Sequence, residues 1–315
     1  MIEMLATALV PIFFGLLLGY VAGLRGWVDN GNVRTLVSLV MNYALPCALF
    51  LAISQSPDGL LETQGRLILL LAVVYLILYW ASYWFGRTVL QASPSDGAVL
   101  ALTLGFPNVT AVGIPLLDAV YGKQTAATVA MGIAAGAMTI SPITLAILEK
   151  STMAGHALPP GSIARSAILR AIRRPVVWAP AVGLLVAMCH LSIPIWFARS
   201  LSVMGAATAG AALFLTGLVV SAQRIAFGWP IILAIVAKNL IQPALCLGFA
   251  LIVALPLEQT RSAVLISAIP CGFFGIIFGK GLNSTPQVAS SALVLSYVAG
   301  VFTLAAWLLL LGHLR

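Results

Sequence analysis

The sequence predicts an all-α polytopic membrane protein, and three observations carry that expectation. Of 315 residues, 61% are hydrophobic and only 8% are charged, whereas a soluble domain carries about 25% charged residues. The apolar residues come in runs of around twenty, the length that crosses a hydrocarbon core about 30 Å thick. The basic residues stand almost entirely between those runs, where they orient a chain in the bilayer.

Ten apolar segments follow one another, over 4–24, 33–54, 66–90, 97–121, 124–148, 175–192, 198–222, 229–255, 262–283 and 286–312. Each is expected to be a transmembrane helix. The first begins almost at Met1, is preceded by Glu3 rather than by a basic region, and has no small-residue cleavage site after it. It therefore reads as a retained helix and not as a signal peptide. Turn-forming clusters punctuate the series: Asp29-Asn30-Gly31, Ser93-Pro94-Ser95-Asp96 and Asn283-Ser284-Thr285-Pro286.

Sixteen Lys and Arg against eight Asp and Glu give a net charge of +8. With loops assigned alternately to the two sides, ten basic residues fall on one side and five on the other. The richer side is then cytoplasmic and both termini lie outside, in a multi-pass protein of the cell inner (plasma) membrane. Charge placed this way speaks of topology, and nucleic acid is not an expected partner. Half of the cytoplasmic charge sits in the loop 149–174. Within it Ser162 to Arg170 resembles a short interfacial helix, with a topology-setting linker as the plainer reading.

That linker divides the chain into two sets of five segments, 1–148 and 175–315. Five is odd, so if the sets are repeats the second is inverted relative to the first. Weak echoes favour repetition. Val10-Pro11-Ile12-Phe13-Phe14-Gly15 resembles Ala179-Pro180-Ala181-Val182-Gly183, Cys47-Ala48-Leu49-Phe50-Leu51 resembles Ala211-Ala212-Leu213-Phe214-Leu215, and the fourth and ninth segments both carry Phe, Pro and Gly in mid-run. Inverted repeats are an architecture of secondary transporters.

The fourth segment reads Gly105-Phe106-Pro107-Asn108-Val109-Thr110-Ala111-Val112-Gly113-Ile114-Pro115. Each Pro removes a backbone donor and clashes with the carbonyl one turn back. Freed backbone groups cannot face lipid, so this stretch is expected to be broken and enclosed by protein or a watery cavity. The ninth segment repeats the problem at Ile269-Pro270-Cys271-Gly272. A proline alone can be a plain kink, but interruptions at corresponding places in two halves point to a transporter's binding site. Half-helix N-termini there would offer free N–H groups to an anion.

Several other residues invite two readings. Asn42, followed one turn later by Pro46, either hydrogen-bonds substrate or bridges helices. Lys238 lies about 15 Å into the eighth segment, with Gln242 one turn away beside Pro243. It either attracts a carboxylate or acts as a fixed cation tying the broken helices together through their carbonyls. Asp118 either takes up a proton or caps the Tyr121-Gly122-Lys123 end. No other acid lies well inside a segment. No nucleotide loop, nucleophile–base pair or metal-ligand spacing occurs, and the four cysteines read as small buried hydrophobes. No cofactor and no metal are expected.

Taken together, Asn42-Tyr43-Ala44-Leu45-Pro46, Gly113-Ile114-Pro115-Leu116 with Tyr121-Gly122, Lys238 with Pro243, and Ile269-Pro270 before Gly272 resemble the auxin efflux carrier family. The bacterial branch, often labelled malate or malonate permeases, is the nearer likeness, over essentially the whole chain. The resemblance implies the fold of sodium/proton antiporters and bile-acid transporters: ten helices in two inverted five-helix repeats. Helices 1, 2, 6 and 7 would form a scaffold domain, and helices 3–5 and 8–10 a transport domain in which broken helices 4 and 9 cross. It further implies a substrate carboxylate near that crossing, with Asn42, Asn108, Pro115 and Pro270 in the family's places by position. The broken segments themselves add Pro46, Thr110, Gly113, Cys271 and Gly272 as candidate binding residues, and Lys238, Gln242 and Asp118 as candidates for support or coupling. The chain lacks the long cytoplasmic loop of the plant members and has Cys271 and Gly272 where they place an amide. A small aliphatic mono- or dicarboxylate is therefore expected rather than auxin, driven by a coupling proton or by no coupling ion, with a homodimer left open. The rival expectations are a cation/proton antiporter, disfavoured by the missing mid-membrane acid, and a membrane sensor that moves nothing. An intramembrane enzyme is remoter still.

Overall fold

The computed structural model describes residues 2–55, 60–122, 125–152, 175–280 and 284–314. Those residues are helical, in chain order α1 (Ile2–Leu24), α2 (Arg34–Ser54), α3 (Leu60–Thr88), α4 (Pro94–Gly105), α5 (Val109–Tyr121), α6 (Ala126–Met138), α7 (Ile140–Thr152), α8 (Pro175–Met188), α9 (Ile195–Ser221), α10 (Trp229–Ile252), α11 (Leu257–Ala268), α12 (Phe274–Lys280) and α13 (Gln287–His313). No strand occurs among the described residues. The expected interfacial helix over Ser162 to Arg170, Lys123 at the helix end that Asp118 would cap, and Asn283 of the last turn cluster lie outside them.

Seven described helices are long and apolar enough to cross a membrane: Ala6–Leu24, Arg34–Ser54, Gly65–Thr88, Ala126–Ser151, Ile195–Ser221, Trp229–Ile252 and Gln287–His313. The chain is thus a polytopic α-helical membrane protein. The other three expected segments are shorter. The fourth and ninth are broken at Pro107 and Pro270, and the sixth is helical as α8 over Pro175–Met188. One break was not expected. The fifth segment changes course at Thr139 (φ −108°, ψ −81°). Pro142 explains it, since its missing N–H and its ring both fall on the carbonyl four residues back.

Prolines also shape the helices that stay continuous. A wide π-type turn precedes Pro46 at Val40–Ala44, Pro115 at Val109–Gly113 and Pro243 at Ala237–Ile241. Lengthening the local repeat to i→i+5 moves the proline ring away from the carbonyl it would strike. The freed carbonyl still needs a donor. In α10 it is that of Asn239, four residues before Pro243, and the indole Nε1–H of Trp307 on α13 donates to it at 3.0 Å.

Packing is tightest between α1 and α9. Gly15, Gly19 and Gly23 recur every fourth residue on one stripe of α1, the small-residue pattern that lets membrane helices approach closely. A Cβ on Gly19 would lie 1.9 Å from the Phe214 carbonyl oxygen, and one on Gly217 would lie 1.9 Å from that of Leu16. Backbone thus touches backbone in both directions. α2 packs on α8 and α9, whereas α3 packs on α4 and α6, α4 on α12, and α10 on α11 and α13.

Candidate functional site

The two unwound stretches, Phe106–Asn108 and Ile269–Phe273, meet. Asn108 N–H donates to Pro270 O at 3.0 Å and Gly272 N–H donates to Phe106 O at 2.9 Å, which makes an isolated antiparallel bridge between Pro107 and Cys271. Prolines end each upstream helix, and the backbone groups they leave over satisfy one another across the gap, as burial away from water requires. The contact needs glycine. A Cβ on Gly272 would sit 2.4 Å from Phe106 O, and one on Gly275 would sit 2.5 Å from Val99 O. Cys271 is fully buried and its N–H donates to Ser296 Oγ at 3.1 Å.

Asn108 opens α5 from beside this bridge. Its Nδ2 donates to Thr216 Oγ1 on α9 at 2.9 Å and to Tyr297 Oη on α13 at 2.6 Å, while Oδ1 is buried without a partner. On the other side of the break lies a cleft with about 480 Å³ of unfilled space, including its mouth. Phe106 and Thr110 border it from the break, Met41 and Leu45 from α2, Ser141 and Pro142 from α7, and Phe274 from α12. The polar side chains there are the hydroxyls of Thr110 and Ser141; the rest of the lining is apolar. At the start of α5 the Val109 N–H donates to Pro107 O at 2.7 Å; the next N–H groups, of Thr110 and Ala111, have no acceptor within their own helix, and the positive end of its dipole adjoins the cleft at Thr110. Such a surface suits a small anion with an apolar or neutral body.

Lys238 lies on the wide turn of α10 and is 0% exposed. Its Nζ donates to Gln242 Oε1 at 2.5 Å and to Ser267 O at 2.8 Å, and Gln242 Nε2 donates to Gly105 O at 2.9 Å. The pair therefore ties the ends of α4 and α11, where both chains unwind, to α10.

The remaining expected residues are scattered. Gly113 ends the wide turn of α5, where a Cβ would press on Val109 and Val129. Pro115 is half-buried behind it. Pro46 is buried in α2. Asn42 is exposed and donates to Ser38 Oγ at 3.0 Å; its neighbours Met41 and Leu45 face the cleft instead. Asp118 is exposed, about 15 Å along α5 from Asn108, and its backbone carbonyl rather than its carboxylate accepts the Gly122 N–H. Among the described residues no group of three His, Cys, Asp or Glu is placed to hold a metal ion.

Four residues of the cluster escaped the sequence reading: Thr216, Asn239, Ser296 and Tyr297. Each is a polar group inside an otherwise apolar run, the one signal that would have found them. Asn239 Nδ2 donates to Ser296 O at 2.9 Å and to Thr303 Oγ1 at 3.2 Å.

The model of a family described as membrane transport protein matches residues 4–308. The chain belongs to this auxin efflux carrier family. An uncharacterized transporter of Escherichia coli K-12, YfdV, is 30% identical over 304 residues, 95% of each chain. Auxin efflux carrier component 8 of Arabidopsis thaliana is 21% identical over 97% of this chain and 96% of its own length. Component 3 of the same plant is 26% identical over 56% of this chain and 31% of its own. Membership makes the chain a membrane transporter of a small molecule and not an enzyme.

Proposed function

We propose that the chain is a secondary transporter that moves a small organic acid anion, malate- or malonate-like, by alternating access. The observation that carries this reading is the cleft at the paired break, where the N-terminus of α5 and the hydroxyls of Thr110 and Ser141 are its polar features. Those groups donate hydrogen bonds, and no carboxylate stands among them to hold a cation.

In this reading the chain forms ten transmembrane helices as two inverted five-helix repeats, 1–148 and 175–315, joined by the basic linker 149–174. α1, α2, α8 and α9 are the scaffold, supported by their packing on one another, and α3 to α7 with α10 to α13 are the moving domain. Both termini lie outside the plasma membrane, following the ten-to-five imbalance of basic residues. Asn108 joins the two domains, because Thr216 belongs to α9 and Tyr297 to α13. Movement breaks the Thr216 bond and frees the Asn108 amide for the substrate carboxylate.

The test is uptake of radiolabelled malonate and malate into proteoliposomes, with and without imposed pH and electrical gradients. Saturable uptake that falls at least about tenfold in Thr110→Val and Asn108→Ala, a loss of about 1.4 kcal/mol of transition-state binding, supports the reading. Correctly inserted variants that transport like the parent would sink the site assignment.

A further inference from the structure

The Lys238 ammonium is a cation in the membrane interior whose contacts are two neutral oxygens, Gln242 Oε1 and Ser267 O. A charge at that depth is costly and is retained where something compensates it. The compensation is visible in the helices around it. Ser267 lies in the last turn of α11 and Gly105 is the last residue of α4. The C-terminal end of a helix carries roughly half a negative charge on its unpaired carbonyls. One such end reaches Nζ directly and the other through the Gln242 amide, whose oxygen faces Nζ while its nitrogen faces Gly105 O. Two half-charges of one sign thus converge on a single positive charge.

Backbone carbonyls freed at broken helices, together with half-helix C-termini, are also the ligands by which secondary transporters hold monovalent coupling cations. We infer that Lys238 Nζ is a tethered substitute for such a cation. The ammonium neutralises the two converging helix ends, so the broken helices stay joined without Na⁺ or K⁺. Removal of the side chain uncovers a latent monovalent-cation site built on Ser267 O and Gln242 Oε1. The inference rests on the paired breaks being the moving site, and not on which anion they carry.

The experiment is thermal unfolding of the purified full-length protein in detergent. Buffers contain chloride salts of N-methylglucamine, Na⁺, K⁺, Li⁺ or methylammonium. The wild type should melt at one temperature in all five. Lys238→Ala should melt lower in N-methylglucamine and regain stability saturably with methylammonium or one of the alkali cations. At a hundred times the Kd of that cation its folding equilibrium shifts by about 100-fold. Lys238→Met, which fills the space with an apolar chain, should fold and show no such rescue. Lys238→Ser, which keeps a polar group in place, is the second variant should the alanine not accumulate, and the same rescue is expected of it. A wild-type melting temperature that rises with Na⁺ or K⁺, or truncated variants that respond to none of these cations, would overturn the inference. Melting needs no transported solute, so its failure and the failure of the uptake assay are separate results.

Discussion

Replacing Gly272 by Ala tests whether the two broken helices depend on their backbone bridge. The added methyl would lie 2.4 Å from Phe106 O, whereas carbon–oxygen contacts begin near about 3.3 Å. The obstacle is a backbone carbonyl that no side-chain rotation can move, so the two stretches must part by about 0.9 Å. That displacement carries Gly272 N···Phe106 O, now 2.9 Å, and Asn108 N···Pro270 O, now 3.0 Å, beyond the reach of a hydrogen bond. Losing two buried bonds costs about 1–3 kcal/mol, equivalent to a melting temperature lower by roughly 2–8 °C for a chain of this size. Gly210→Ala is the matched control, because a Cβ there meets nothing within 4 Å and alanine favours a helix. Unfolding in detergent, followed by intrinsic fluorescence or a thiol-reactive dye, gives both melting temperatures. If Gly272→Ala melts within about a degree of the control, the bridge does not hold the breaks together and the argument fails.

Two further perturbations probe the frame around the site. Gly19→Leu should cost about 3 kcal/mol or more, because its Cβ would strike the Phe214 carbonyl at 1.9 Å and drive α1 off α9; the expected result is protein that is degraded or aggregated in the membrane, read by fluorescence-detected size exclusion. Trp307→Phe keeps the ring and removes the indole N–H that satisfies Asn239 O; the expected loss is about 0.5–2 kcal/mol, seen as a lower melting temperature, and an unchanged one would mean that the freed carbonyl finds another donor.

Much of this architecture was legible residue by residue, and what was not has a physical cause. Apolar runs mark helices because lipid tolerates little else, and Pro beside Gly at 105–107 and 270–272 marks breaks because both residues disfavour helix. The break at Thr139 and the wide turns before Pro46 and Pro243 were not expected, although the residue that causes each is local. The signal was present each time, one turn upstream of a proline. The partners of Asn108 were not legible. Thr216 and Tyr297 lie 108 and 189 residues along the chain, and nothing local to any of the three encodes that meeting. The same holds for Ser296, which receives the Cys271 N–H. Lys238 was recognisable as costly, but the Ser267 and Gly105 carbonyls became its neighbours only when both helices ended beside it. The facing of Asn42 was not legible either: its rotation on α2 turns Met41 and Leu45 to the cleft.

The central claim, that a small carboxylate binds in the cleft beside the paired break, is tested most directly by substrate protection at Ala137, which lines that cleft. Ala137→Cys in proteoliposomes is labelled by a small maleimide at increasing malonate or malate, with the native exposed Cys189 as internal control. Labelling at position 137 should slow saturably, with half-effect near the concentration that half-saturates uptake, while Cys189 is labelled at a constant rate. Uptake of either acid with labelling at 137 unaffected at every concentration would contradict the claim.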